Sequence, residues 1–264
     1  MSSLPPSLPV APEAGATDLL APVPRRSFLR YSGAGLALGG LYLAGCKKDD
    51  ANGANSGLID VGSGDTGILN YAYALEQLEA AFYTKVINAY YTGATAAEKA
   101  IFADLKDHEV IHRDFFKAAI TSGRISDALV PDFTGIDFTQ RTTAAGSAKM
   151  GVLNAAMAFE DLGVAAYNGA GRFISSVDYL TLAGKIVSVE ARHAALIREL
   201  LTTNTFVAND VVNLDTATPN SGAPGATGSV MGTGLERSKR PQAVLAIANN
   251  FLATGSKLSA SNFA

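Results

Sequence analysis

From about residue 66 onward, apolar residues recur every three or four positions in long stretches separated by short polar connections, the signature of amphipathic helices. Four helices are predicted, over approximately 67–91, 95–122, 143–171 and 176–203. Thr95-Ala-Ala-Glu98 reads as a capping box at the start of the second, and Ser176 as the N-cap of the fourth. Only a few residues separate helix one from two and helix three from four, so each pair should close as an antiparallel hairpin. About 20 residues holding Pro131 and Gly135 join the hairpins, enough to run from one end of a bundle to the other. The expected fold is therefore all-α: a four-helix bundle over 66–203, two antiparallel hairpins with a long crossover. Residues 204–264 should add a surface loop rich in Asn, Thr, Gly and Ser, then a short helix over Pro241–Leu252 packing on the bundle or lying beside it as a lid.

The apolar stripes are interrupted in a regular way. In helix two the seam runs Phe102, Leu105, Glu109, His112, Phe116, Ala119; in helix four it runs Ala183, Ile186, Glu190, His193, Ile197, Leu200. The stripes of helices one and three each include one glutamate, Glu76 and Glu160, among Leu69, Ala80 and Tyr83 or Leu153, Val164 and Tyr167. The halves match: Ala74-Leu-Glu-Gln-Leu78 aligns with Ala158-Phe-Glu-Asp-Leu162, and Tyr83 and Tyr167 each follow their glutamate by seven residues. One hairpin has been duplicated.

Four ionised carboxylates in a dry bundle repel one another and each is expensive to desolvate. Two divalent cations would cancel the four charges, and two neutral imidazoles would complete the ligand set. Glu-x-x-His places both side chains on one helical face, within reach of one metal centre. The competing reading is four surface glutamates and two locally satisfied histidines; it does not explain why all six fall in the apolar stripe. Neighbouring groups are less decided. Glu79 is either an extra ligand or an outer group, since its counterpart is Gly163; His108 should face solvent; Tyr83 and Tyr167 pack the core or hydrogen-bond the ligands; Asp161 and Asp114 are candidates to orient an imidazole.

With Leu75-Glu-Gln-Leu-Glu-Ala-Ala-Phe-Tyr83, Glu109-Val-Ile-His112, Phe159-Glu-Asp161 and Val189-Glu-Ala-Arg-His193 in view, the chain resembles the ferritin-like superfamily. More closely, it resembles the bacterial and plant ferritin-like proteins that include desiccation-related proteins. The resemblance covers roughly 66–203 and implies that Glu76, Glu109, His112, Glu160, Glu190 and His193 are metal ligands, with Glu109 and Glu190 bridging. It implies two Fe or Mn ions, a choice that carboxylate and imidazole ligands alone do not decide, with iron the first candidate.

Composition excludes several other classes. The chain has 264 residues, 48% hydrophobic, 17% charged, with net charge -3, and gives no electrostatic reason to bind nucleic acid. One cysteine excludes a disulfide-stapled fold, and no apolar run reaches the roughly 18–20 residues of a membrane span. There is no Gly-rich phosphate loop, nucleophilic serine motif or Cys-x-x-Cys pair.

The first 45 residues read as an address. Pro5, Pro6, Pro9, Pro12, Pro22 and Pro24 crowd a leader expected to be disordered, and Arg25-Arg26-Ser-Phe-Leu-Arg30 precedes an uncharged stretch from Tyr31 to Gly45. The paired arginines resemble a twin-arginine (Tat) export signal, and Leu43-Ala-Gly-Cys46 resembles a lipobox, which would make Cys46 a lipid-bearing first residue. Residues 46–65, with Lys47-Lys-Asp-Asp50, would form a flexible tether. The expectation is a lipoprotein of the periplasm or cell envelope, bound to the membrane through that anchor.

Two functions remain open at this stage. One is di-metal redox chemistry with dioxygen or peroxide, protecting the envelope from oxidative stress. The other is a non-catalytic, stress- or desiccation-related structural protein that its metal stabilises. Iron storage ranks third, because a lipid on every chain fits a closed shell of many subunits poorly. Oligomerisation stays open.

Overall fold

The computed structural model describes residues 57–212 and 234–263. The predicted export arginines Arg25 and Arg26, the predicted lipid-bearing Cys46, and most of the tether lie outside those residues.

Four long helices make the body: α1 (Gly64–Asn88), α2 (Ala96–Ala119), α3 (Val152–Ala170) and α4 (Val177–Leu201). Helix α1 packs most extensively on α2, and α3 on α4; the two hairpins meet chiefly through α1 and α3. At the head of α2, the Thr95 hydroxyl accepts from the Glu98 amide at 3.2 Å while the Glu98 carboxylate accepts from the Thr95 amide at 2.9 Å. This is the capping box that the sequence predicts. The Ser176 hydroxyl likewise accepts from the Tyr179 amide at the head of α4.

Helix three is shorter than its apolar pattern suggests. It begins at Val152 instead of near 143, because Gly146 takes a left-handed conformation (φ 81°) that ends any helical run there. Met150–Gly151 (β3) then pairs in parallel with Ile136–Asp137 (β2), holding the chain extended up to the helix. The crossover consequently spans 120–151, longer than expected. Buried polar residues on α1 fix its course. Asn70 donates to the Val61 and Gly123 carbonyls and accepts from the Ile125 amide, and Gln77 does the same for Ser126 and Leu129. These are obligatory backbone groups finding partners away from water.

The C-terminal segment returns to the bundle. Helix α5 (Pro241–Ala248) buries Val244, Leu245 and Ala248 in the main core, and the Lys239 amide donates to the Ala165 carbonyl of α3. Leu258–Ser259 (β4) pairs in parallel with Ile59–Asp60 (β1), just ahead of α1. Among the described residues, no helix is long and apolar enough to cross a membrane.

The core has two parts. A large cluster around Phe82, Tyr83, Phe102 and Phe159 extends under the C-terminal segment. A smaller one contains Leu69, Ala72, Phe116 and Ile186. On α1 and α2 the polar positions of the stripe fall between them, Glu76 between Ala72 and Tyr83 and Glu109 between Phe102 and Phe116.

Candidate metal centre

Each of the four helices delivers its glutamate to the same layer. Glu76, Glu109, Glu160 and Glu190 are all 0% exposed, and His112 and His193 are 8% and 5% exposed. One ligand atom from each of Glu76, Glu109, His112 and Glu190 lies within 4.8 Å of the others, and the same is true of Glu109, Glu160, Glu190 and His193. The two groups share Glu109 and Glu190. All six residues singled out from the sequence therefore meet, as two four-residue sets joined by two common carboxylates.

The geometry repeats across the duplication. His112 Nδ1 lies 2.8 Å from Glu190, 3.2 Å from its own helix partner Glu109 and 3.6 Å from Glu76. His193 Nδ1 lies 2.9 Å from Glu109, 3.4 Å from Glu160 and 3.6 Å from its own partner Glu190. The tyrosines cross over: Tyr83 of α1 donates its hydroxyl hydrogen bond to Glu160 of α3, and Tyr167 of α3 donates to Glu76 of α1. Each tyrosine thus orients the carboxylate of the other half, a role beyond core packing.

Several of these atoms have no hydrogen-bond partner. Glu76 Oε2, Glu109 Oε1, Glu160 Oε2, both oxygens of Glu190 and Nδ1 of His193 are buried and unpaired; the short approaches of the two imidazoles do not align as hydrogen bonds with these oxygens. Buried polar atoms are normally satisfied, so lone pairs converging on one space call for a positive partner there. Carboxylate oxygens and imidazole nitrogens are donors that suit divalent metal ions, iron and manganese among them. The two residue groups could each hold a metal ion.

Ionisation without metal follows from the same crowding. Burial, reinforced by Glu190, pushes Glu109 up to about 8, and burial likewise raises Glu160 to about 7 against the opposing pull of His193. Burial opposes charge on His112 and His193, but the carboxylates around them overcome it and hold both imidazoliums up to about 12. Burial also opposes charge on Glu190, and the two imidazoliums outweigh it, bringing Glu190 down to about 2.

Four neighbours have surroundings that the sequence left open or did not indicate. Glu79 is no surface group: it is 4% exposed, and burial together with Glu76, Glu109, Glu190 and Glu160 holds its carboxyl far above the usual range. A Cβ at Gly163 would stand 3.2 Å from Glu79 Oε1, so the glycine that breaks the repeat is what makes room for this carboxyl. His108 is exposed, as expected, yet its Nδ1 lies 2.8 Å from His193 Nε2 with the rings only 9° from parallel. Asp161 and Asp114 orient no imidazole. Asp161 pairs with Arg198 at 2.6 Å and Asp114 with its neighbour Arg113 at 2.8 Å. Helical periodicity places Glu79 within a turn of Glu76 and the repeat aligns it with Gly163, but neither says that the two face each other. No sequence signal connects His108 to a residue of another hairpin.

Residues 64–203, slightly more than half the chain, match the sequence family described as a ferritin-like domain. No curated protein matches the chain.

Proposed function

Because the chain belongs to the ferritin-like family, we propose that it is an exported di-metal protein reacting with dioxygen or peroxide to protect the cell envelope. Glu76, Glu109, His112, Glu160, Glu190 and His193 hold two ions of iron or manganese, with Glu109 and Glu190 shared between them. The observation that carries this reading is the set of buried, unpaired carboxylate oxygens facing one another across four helices. The paired arginines and the lipobox-like Leu43–Cys46 support export and a lipid anchor.

When bound, the metal pair supplies redox chemistry toward a small oxidant. The chain does the rest. Tyr83 and Tyr167 fix one oxygen each of Glu160 and Glu76, leaving the second free to bind. If His193 binds through Nδ1, its Nε2 carries the hydrogen, and the neutral His108 Nδ1 accepts it, fixing tautomer and ring orientation. Partial burial and the neighbouring imidazoles lower the His108 pKa and keep it available as an acceptor. Glu79 holds a proton at its carboxyl beside the ligand layer.

Elemental analysis of the full chain carrying Cys46→Ser tests the reading, followed by peroxide and dioxygen consumption. Two Fe or Mn per chain with turnover are expected. Metal without turnover would leave the stabilising role instead. The double substitution Glu109→Ala, Glu190→Ala should abolish uptake, and unchanged stoichiometry would refute the ligand assignment. Fatty-acid labelling in cells, lost in Cys46→Ser, tests the anchor.

A further inference from the structure

The chain enters the bundle just ahead of α1, and the heads of α1 and α4 lie side by side there. Asp65, in the first turn of α1, accepts hydrogen bonds from the Ser175 and Ser176 amides at 2.7 and 2.9 Å. Phe173, in the same connection from α3 to α4, packs edge-on against Phe263 with ring centroids 5.5 Å apart. Phe263 lies just beyond β4, the strand that pairs with β1. The connection is thus braced from two sides, beside the point where residues 57–60 come in.

That braced corner presents apolar side chains outward. Val177 is 75% exposed, more than any other large apolar side chain among the described residues, and Leu180, one turn on, is 46% exposed. Arg172 is exposed beside them, its guanidinium 5.6 Å from the centre of the Phe173 ring. Asp178 suits the first turn of a helix, and its charge against Arg172 leaves the corner close to neutral. Two apolar side chains with a long basic one fit a bilayer interface, where hydrocarbon enters the headgroup boundary and a guanidinium meets phosphate. Chain length favours that occupant. Twelve residues separate Cys46 from Leu58, a reach of at most about 40 Å when fully extended. The far ends of α1 and α4, 25 residues each, lie about 37 Å further along the bundle. A short link holds its partner at an effective concentration in roughly the millimolar range, so a contact too small to bind from solution becomes populated.

We infer that the corner from Arg172 to Leu180 docks on the lipid bilayer that carries the anchor at Cys46. Val177 and Leu180 enter the interface, and Arg172 meets lipid phosphate. The inference rests on the lipid-anchor part of the proposed function and is independent of the metal centre.

The chain has no tryptophan and a single cysteine, so both a probe and an anchor can be placed cleanly. The full chain is coupled through Cys46 to maleimide lipid in phosphatidylcholine vesicles, which supplies an anchor whether or not cells acylate that residue. In separate proteins one tryptophan replaces Val177, Ile111 midway along α2, or Val207 beyond the far end of α4. Emission from Val177→Trp should shift to shorter wavelength on coupling and be quenched by brominated acyl chains, while Ile111→Trp and Val207→Trp respond to neither. With Leu180→Trp as reporter, adding Val177→Asp should cut the quenched population about tenfold. An acidic residue suits the first turn of α4, and Val177→Ser takes its place if thermal melting shows the aspartate variant misfolded. Absence of quenching at Val177→Trp, or equal quenching at all three positions, overturns the inference. So does a shift that appears without vesicles and grows with protein concentration, which would put a second copy of the chain on this corner. Fatty-acid labelling in cells decides the anchor separately. Labelled Cys46 without docking of the coupled protein sinks this inference alone, and docking of the coupled protein without labelling in cells sinks the anchor alone.

Discussion

At the residue scale, protons and the proposed metal ions would compete for the same atoms. Without metal, His112 and His193 are held protonated up to about 12, Glu109 up to about 8 and Glu160 up to about 7. Ligands must give up those protons to bind, so loading two divalent ions near pH 7 should release about three protons. Calorimetric titration in buffers of different ionisation enthalpy measures that number; a value near zero would mean the imidazoles are not ligands. His108 invites a second test. With its Nδ1 2.8 Å from His193 Nε2, His108→Ala should weaken the ion held by Glu109, Glu160, Glu190 and His193 by about 10–100-fold. The ion on the His112 side should be little changed, and uniform weakening of both would show that His108 matters only for folding. These residues also mark how far the sequence could be read. The six inward groups stood out because a carboxylate in an apolar stripe has no reason to be there except a partner. The sequence leaves Glu79 undecided and reads His108 as solvent-facing, because their contacts, with Gly163 and His193, come from other helices and nothing local announces such a meeting.

At the element scale, what could be read is what one helix decides by itself. Thr95 and Ser176 cap where expected because capping is a contact over three residues. Helix three starts later than its apolar pattern suggests because Gly146 and the β2–β3 pairing govern that stretch. The packing of the C-terminal segment on α3 depends on a second glycine that the sequence gives no reason to single out. A Cβ at Gly169 would stand only 1.8 Å from the Lys239 carbonyl oxygen, and that oxygen belongs to rigid backbone. The Lys239 amide also donates to Ala165, so the segment leading to α5 presses directly on the α3 backbone. Gly169→Ala should therefore displace residues around 239 and loosen α5. Hydrogen exchange would show selective loss of protection at Lys239 and over Val244–Ala248, with metal stoichiometry retained. Uniform protection changes, or none, would contradict this close approach. Thr95→Ala, by contrast, should cost about 0.5–2 kcal/mol through the lost cap and leave the site intact. A chemical-denaturation midpoint shifted at constant slope is the readout.

At the scale of the whole molecule, the buried charge cluster sets the pH at which the protein is stable without metal. Glu109, Glu160 and Glu79 have folded-state values above the ordinary 4.5 of glutamate, so between that value and about 8 the folded chain binds more protons than the unfolded one. Stability from these groups is complete below about 4.5 and is lost as pH rises. The two histidines act in the same direction. Their contribution is complete below the ordinary 6.5 and declines as pH climbs toward about 12. Glu190 opposes this only on the acid side, because its folded value near 2 yields stability that disappears as pH falls below 4.5. The metal-free protein should thus melt at progressively lower temperature from pH 5 to pH 9. Divalent cations replace the protons and bind only the deprotonated ligands, so the loaded protein should not share that decline. The melting-temperature gap between loaded and metal-free protein should widen steadily from pH 5 through 7 to 9. A gap independent of pH would mean that the cations, if they bind, bind elsewhere. A metal-free protein that becomes more stable with rising pH would mean that the four glutamates do not crowd one another, and the reason for putting two cations among them would go with that crowding.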